Sequence, residues 1–346
     1  TLPVLKGILI EADTDGTITL SASDLDISIR RKIEADVEEP GSAVVASKLF
    51  GDIVRKLPNE MILIEAGDEN SVLIKTSSSE FNVIGLSVED FPQIKDNKEI
   101  INRLTFSCET FKDMVRKTAF AASAEEAKGI LTGILTEITP GNVRMVALDG
   151  FRLALSNEPV DIGTEENFII TARIMNEISK IISDDSDAED MEILLSDKKA
   201  VFNIGNTEVS LRLMEGEFIR YRDIIPSDGS TTVIIGKSIL LESIERASLL
   251  AREGKNNLIK ISVHNDLMTI TSRSEEGNVK EEIIMDKTGD DIDIGFNSKY
   301  VTDVLKAIDD EEIRMIFSTG TSPCVIKPVG SDAFEYLVLP VRIPRI

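Results

Sequence analysis

The sequence contains no tryptophan, a single histidine and only two cysteines. A transmembrane helix needs about 20 consecutive apolar residues, and no run here comes close. Cys108 and Cys324 lie far apart and have no partners at metal-ligand spacing, so neither a disulfide framework nor a zinc site is expected; a reducing cytoplasm fits. His264 falls in the alternating run "LIKISVHNDLMTI", where a strand end is its expected place. Ser-His-Asp and Cys-His catalysis and multi-histidine metal sites therefore have almost no material. Positive charge is scarce too. Against 61 Asp and Glu stand 38 Lys and Arg, a net charge of −23. That argues against nucleic-acid binding through the whole surface but leaves room for a local basic one.

What the chain does contain is repetition. At 346 residues it is long enough for two or three domains. Three segments align: "VVASKLFGDIVRKL" from Val44, "IITARIMNEISKII" from Ile169 and "GFNSKYVTDVLKAI" from Gly295. Each starts as a short apolar strand, turns through a small polar residue and continues as a helix. Lys48, Arg173 and Lys299 correspond at spacings of 125 and 126 residues. Asp52, Glu177 and Asp303 correspond in turn, as do Arg55, Lys180 and Lys306. Amphipathic helices are common, but a shared charge order at near-constant spacing is not.

A second strand-helix pair also recurs. "FSCETFKDMVRKTAFAAS" from Phe106 matches "IIGKSILLESIERASLLA" from Ile234, with Lys117 and Arg246 aligned 129 residues apart. Strand pairs follow each of these helices, and the start of the chain, "GILIEADTDGTITLSASDLDISI", matches those later strands. The first copy therefore opens midway through the unit, and about two dozen residues, a strand and a helix, are expected to be missing before Thr1. Alternating strands such as "AVFNIGNTEVSLRL" fit antiparallel sheets with one face covered by helices. The expected fold is α+β, three repeated domains of two helices on antiparallel sheets. Their expected bounds are 1–102, 103–230 and 231–346, set in the polar stretches "KDNKE" and "PSDGS".

Two motifs promise more than they carry. "IIGKS" resembles a phosphate-binding loop, but position 231 is Thr where the motif needs a second Gly. The acidic stretch "SDDSDAED" lacks the Gly and terminal Glu of a calcium loop and reads as a solvated loop. No catalytic constellation emerges, and neither an enzyme nor a cofactor is expected.

The expected helices, 47–57, 109–123, 171–183, 237–252 and 298–308, hold 13 Lys or Arg against 7 Asp or Glu. They carry +6, so the rest of the chain carries −29. Threefold repetition would gather these helices on one side of an array. Closed into a ring, that array would line a hole with basic helices and leave acidic sheets outside. Such a hole suits duplex DNA held by phosphate contacts that ignore sequence. The candidate DNA-facing residues are Lys48, Arg55, Lys56, Lys112, Arg116, Lys117, Arg173, Lys180, Lys237, Arg246, Lys299 and Lys306. An alternative is a repeat-based interaction scaffold with no link to DNA.

The motifs "TLPVLKGILIEA", "DFP" at Asp90, "ALDGFRLALS" at Ala147, "IGFNSKYVTDVL" at Ile294 and "EYLVLPVR" at Glu335 together resemble the sliding clamp family, the beta subunits of bacterial DNA polymerase III. The resemblance covers the whole chain. It implies a DNA clamp fold, a ring-forming head-to-tail homodimer around double-stranded DNA, and a non-catalytic processivity role in the cytoplasm, associated with the nucleoid. It also implies that the replicative polymerase, the clamp loader and repair proteins dock short apolar peptides in a groove between the second and third domains.

Carried onto this sequence, the groove would use Leu131, Gly150, Phe151, Arg152, Leu153, Ile219 and Ile224 from the second domain. From the third it would use Asn297, Tyr300, Pro323, Leu337, Val338, Leu339, Pro340, Val341 and Arg342. Read by itself, "EYLVLPVRIP" begins as a buried edge strand, and the residues after Val341 are harder to bury. Phe151 and Asp223 stand where some relatives carry His and Arg, and "IPRI" extends past Arg342. For the ring interface the resemblance implies Phe81, Leu249 and Leu250; Leu249 also reads as ordinary core.

Overall fold

The computed structural model describes residues 3–92, 101–184, 188–226 and 228–343. Two compact units emerge: residues 1–108 with 181–213, and residues 109–180 with 214–346. Among the described residues there are five α-helices: α1 (Ser47–Lys56), α2 (Cys108–Thr118), α3 (Ala172–Asp184), α4 (Lys237–Ala251) and α5 (Ser298–Ala307). None is long and apolar enough to cross a membrane.

The first unit is built on an eight-stranded antiparallel sheet, ordered Gly41–Ala46, Gly7–Asp13, Thr17–Ser23, Ile27–Glu34, Thr207–Arg212, Lys199–Ile204, Asp190–Leu195 and Asn102–Ser107. Its middle is a seam between distant parts of the chain, where Ile27 pairs with Leu211 and Arg31 with Thr207. A three-stranded sheet, Leu63–Ala66, Ser71–Lys75 and Glu80–Ile84, completes the unit. The apolar side of α1, Phe50 and Ile53, packs with Ile10, Val45, Val72 and Ile74. Period-2 burial in the strands and helical spacing in α1 place these side chains in one core.

In the second unit a nine-stranded antiparallel sheet runs Glu166–Thr171, Gly133–Thr139, Asn142–Leu148, Arg152–Pro159, Phe334–Val338, Cys324–Pro328, Glu312–Phe317, Thr231–Gly236 and Asp286–Gly289. A four-stranded sheet, Gly277–Ile284, Leu267–Ser274, Leu258–His264 and Ile292–Asn297, lies under α4, which also packs along α5. Leu240, Ile244, Ala247 and Ala251 form the buried side of α4.

The structure changes two sequence expectations. "EYLVLPVRIP" is not an edge strand: Phe334–Val338 lies inside the nine-stranded sheet, with Arg152 opposite Val338 on one side and Cys324 opposite Val338 on the other. A strand apolar on both faces signals burial, not position in a sheet. Helix α2 stops at Thr118, short of the expected residue 123, and passes into a 3-10 turn at Ala119–Ala121. The Thr118 hydroxyl donates to the Met114 carbonyl at 2.7 Å, a side-chain bond of the kind that competes with helix continuation.

Other expectations hold. His264 ends its strand, and "GKS" is the turn from Thr231–Gly236 into α4. The stretch "KDNKE" lies outside the described residues, as do Ser227 of "PSDGS", residues 185–187 of the acidic loop and residues 344–346 of the tail.

Candidate functional site

The densest cluster of predicted site residues sits on the hairpin between strands Asn142–Leu148 and Arg152–Pro159. Asp149 and Gly150 make its turn, with Gly150 at φ +95°. One Asp149 carboxylate oxygen accepts the N–H groups of Phe151 at 2.8 Å and Arg152 at 3.1 Å. Aspartate favours such turns because its short side chain caps the backbone locally. The turn splits two neighbours: Phe151 is 52% exposed, whereas Arg152 is 9% exposed.

Arg152 bonds two carboxylates and faces two rings. Its Nε donates to Asp149 at 3.1 Å and its Nη1 to Asp303 of α5 at 2.6 Å. Its guanidinium lies 4.8 Å from the Tyr300 ring centre and 5.4 Å from that of Phe120. Phe151 in turn stacks on Tyr300, 5.9 Å between ring centres with planes 20° apart. Burial, and then the charge of Asp149, push the Tyr300 hydroxyl above its ordinary pKa.

The floor beneath is apolar. Leu153 and Leu337 are buried with Leu135, Val146, Leu148, Leu155, Ile169, Tyr221 and Val325; Leu131, Phe218 and Leu339 pack against them half-buried. Ile219 and Ile224 flank the 3-10 turn Tyr221–Asp223 and are 41% and 40% exposed. The Tyr221 hydroxyl donates to Glu137 at 2.6 Å, and burial first, then Glu137, push its pKa up to about 12.

The C-terminal segment is tied across this surface by its backbone. The Leu339 N–H donates to the Phe151 carbonyl and the Val341 N–H to that of Gly295, each at 2.8 Å. A Cβ on Gly295 would stand 2.6 Å from the Val341 carbonyl oxygen, so glycine permits the approach. Pro323, Pro340 and Val341 are half-buried and Arg342 is exposed, while Val338 is buried. Asn297 caps α5, its side chain accepting the Lys299 N–H at 3.0 Å. The sequence reading missed Phe120, Asp149, Asp303 and Gly295. The "DGF" turn would have revealed Asp149, but nothing local marks the other three.

The basic helix residues fall into two groups. Lys48, Lys56, Arg173 and Lys299 are exposed, and Lys112 and Lys237 are half-buried. Ion pairs hold Arg55, Lys180, Arg246, Lys306, Arg116 and Lys117. Arg55 pairs with Asp52 at 3.4 Å, Lys180 with Glu177 at 2.8 Å, Arg246 with Glu281 at 2.7 Å and Lys306 with Glu245 at 2.8 Å. Arg116 is held by Asp113, Asp309 and the Ala307 carbonyl. Lys117, only 13% exposed, is held between Asp113 and Glu158. Burial acts against ionisation of Asp113, but hydrogen bonds from Lys117 and Arg116 hold its pKa below the ordinary value.

Phe81, Leu249 and Leu250 are not core: Phe81 is 38% and Leu249 64% exposed, and Leu250 is half-buried. Phe81 lies on Glu80–Ile84, an end strand of the three-stranded sheet, and Ile84 on the same strand is 86% exposed. Gly277–Ile284 is likewise an end strand and carries Ile284, 84% exposed. Each strand leaves an outer edge unpaired among the described residues, and apolar open edges are places where another chain adds. The two isoleucines were not foreseen; "EEII" and "NVIG" read as ordinary strand ends.

Comparison with known proteins agrees with this architecture. The N-terminal, central and C-terminal domains of the DNA polymerase III beta subunit match residues 1–95, 105–219 and 222–342. The Bacillus subtilis beta sliding clamp is 34% identical over 99% of this chain and 93% of its own. Its crystal structure superposes with a TM-score of 0.93 at 33% identity, again covering 99% and 93%. The Thermotoga maritima beta subunit gives 0.93 at 28%, with the same coverage.

The fold is thus a DNA clamp of three α+β domains, with few helices set on antiparallel sheets. The chain belongs to the DNA polymerase III beta subunit family. It is a DNA sliding clamp, a non-catalytic processivity subunit in DNA replication.

Proposed function

We propose that two copies of this chain close head to tail around duplex DNA, with domains bounded at 1–102, 103–230 and 231–346. The observation that carries this reading is the threefold recurrence of a basic residue in the first turn of α1, α3 and α5. Lys48, Arg173 and Lys299 are all exposed on a chain that is otherwise acidic. Phosphate contacts from these positions hold any sequence and let the ring slide. Lys117, only 13% exposed and held between Asp113 and Glu158, contributes less, because a shielded cation releases few counterions from DNA. An interaction scaffold without DNA gives no reason for the recurrence.

Closure joins the apolar edge around Phe81 and Ile84 in one copy to that around Leu249, Leu250 and Ile284 in the other. Strand addition at two open edges supplies main-chain hydrogen bonds, and the side chains supply apolar burial. The groove around Phe151, Tyr300, Leu153 and Leu339 docks short apolar peptides of the replicative polymerase, the clamp loader and repair proteins. The solved Pseudomonas aeruginosa sliding clamp bound to griselimycin, 26% identical with a TM-score of 0.92, supports ligand capture on this fold. Such a ring works on DNA in the bacterial cytoplasm.

The test is topological. Loaded on circular duplex DNA, the protein should remain bound through gel filtration and be released when the circle is cut once. Equal retention on circular and linear DNA would refute encirclement.

A further inference from the structure

The three repeated helices contain an internal control. Asp52 of α1 pairs with Arg55 at 3.4 Å, and Glu177 of α3 with Lys180 at 2.8 Å, each within its own helix. The third acidic residue, Asp303 of α5, leaves that pattern. It reaches Arg152 at 2.6 Å, while Lys306, the repeat's expected partner, pairs with Glu245 of α4 at 2.8 Å. The same position of the repeat has been turned from a surface pair into a contact with a cation that is 9% exposed.

What Arg152 does with that contact is visible in the rings around it. Phe151, Tyr300, Arg152, Phe120, Tyr336 and Phe334 form one continuous chain of contacts, stacked between Phe151 and Tyr300 and between Tyr336 and Phe334 and tilted by 57° between Phe120 and Tyr336. Successive centres are 5.9, 4.8, 5.4, 5.8 and 5.0 Å apart. Tyr336 and Phe334 are buried in the sheet, whereas Phe151 at the other end is half exposed. A guanidinium between two rings attracts both through their quadrupoles. Two carboxylates orient it, Asp149 at Nε and Asp303 at Nη1. Asp149 is bound to the hairpin itself; Asp303 comes from α5, the helix that also carries Tyr300.

We propose that Asp303 is a positioning residue for the groove: by locking Arg152 beneath Tyr300 it fixes the paired faces of Tyr300 and Phe151 against which an apolar ligand side chain packs. The inference rests on the groove reading above. It assigns to α5 two duties on one turn, Lys299 outward toward DNA and Tyr300 with Asp303 toward the groove. Removing the carboxylate leaves a buried arginine one partner short, so the guanidinium swings toward Asp149 and the ring above it loses its support.

The test compares the full chain with Asp303→Asn, Asp303→Glu and Phe151→Leu. In protein carrying ring-13C phenylalanine, the Phe151 signal is identified by its loss in Phe151→Leu. It should show the upfield ring-current shift of a stacked ring. Asp303→Asn should remove most of that shift and Asp303→Glu should restore it, with all variants retaining the parent's circular dichroism. Griselimycin affinity should fall about tenfold in Asp303→Asn and recover in Asp303→Glu. Combining Asp303→Asn with Phe151→Leu should cost less than the two separate losses together, since both act through one wall.

An unchanged Phe151 shift in Asp303→Asn overturns the proposal, and so does a lost shift with undiminished griselimycin affinity. If Asp303→Asn does not fold, Asp303→Ser replaces it, judged by the same shift. Failure of the parent to bind griselimycin counts against the groove reading alone; the ring shift still decides whether Asp303 positions the wall.

Discussion

The Leu339 N–H donates to the Phe151 carbonyl at 2.8 Å, so the C-terminal segment is fastened to a hairpin turn almost 190 residues earlier. The bond continues the pairing of Phe334–Val338 with Arg152–Pro159 by one step beyond the strand. It also holds the apolar tail open beside Phe151, because backbone groups are satisfied while the side chains stay half-buried. The proposed groove lies where the last strand of the sheet runs out over the core.

Truncation after Val338 tests that relationship. The strand Phe334–Val338 keeps its pairing, so ring assembly should persist, while polymerase-derived peptides lose Leu339, Pro340 and Val341. A few apolar anchors carry most of the energy in such grooves, and the loss should be at least ~2 kcal/mol by fluorescence polarisation. Full affinity in the truncated protein would mean that peptides dock elsewhere.

Charge reversal at Lys48, Arg173 and Lys299 should weaken retention on circular DNA while leaving the dimer intact. The slope of log affinity against log salt should become shallower by about 1 for each phosphate contact removed. Loading and sliding at the parent's level would show that the recurring helices do not face DNA.

Leu249→Asp together with Ile284→Asp should turn the ring into folded monomers. Both side chains are mostly exposed in the protomer, 64% and 84%, so the fold has little to lose. A carboxylate buried without a partner in an apolar contact costs on the order of 3 kcal/mol or more. Analytical ultracentrifugation reads the outcome directly; a dimer of parental stability would move the interface away from these strands.

The network around Asp291 should make the third domain modestly sensitive to acid, discounted by the solvent exposure of the group. A hydrogen bond from Lys287, then one from the Asn265 N–H and one from His264, lower its pKa from 3.8 to about 2. A carboxylate with a depressed folded pKa contributes stability that is present above its ordinary value and lost as pH falls through the folded one. Asp291→Asn should therefore lower the urea midpoint at neutral pH and flatten its fall between pH 3.8 and about 2. Parallel curves for parent and variant across that window would rule the network out as a source of acid sensitivity.

Much of this molecule was legible in order along the chain. The helices of the repeats, their strand-to-helix turns and the three α+β copies follow from charge order and apolar period, which local stereochemistry converts directly into faces of helices and strands. The carried-over groove residues Phe151, Arg152 and Tyr300 do meet. Phe120 and Asp303 were not legible, because neither their spacing nor their neighbours differ from those of a core aromatic and a solvated helix acid.

The sequence by itself determined the copies; the tertiary structure decided how their strands are shared. Strands of the central copy divide between both large sheets, Thr207–Arg212 joining Ile27–Glu34 in one and Arg152–Pro159 joining Phe334–Val338 in the other. Pairing between strands of different repeats depends on complementary edges far apart in the chain, and period-2 alternation specifies a face without naming a neighbour. The fate of each charge was open for the same reason. Asp52, Glu177 and Asp303 occupy one position of one repeat, yet among the described residues Asp303 alone of the three pairs with a buried arginine, and only the folded chain brings it there.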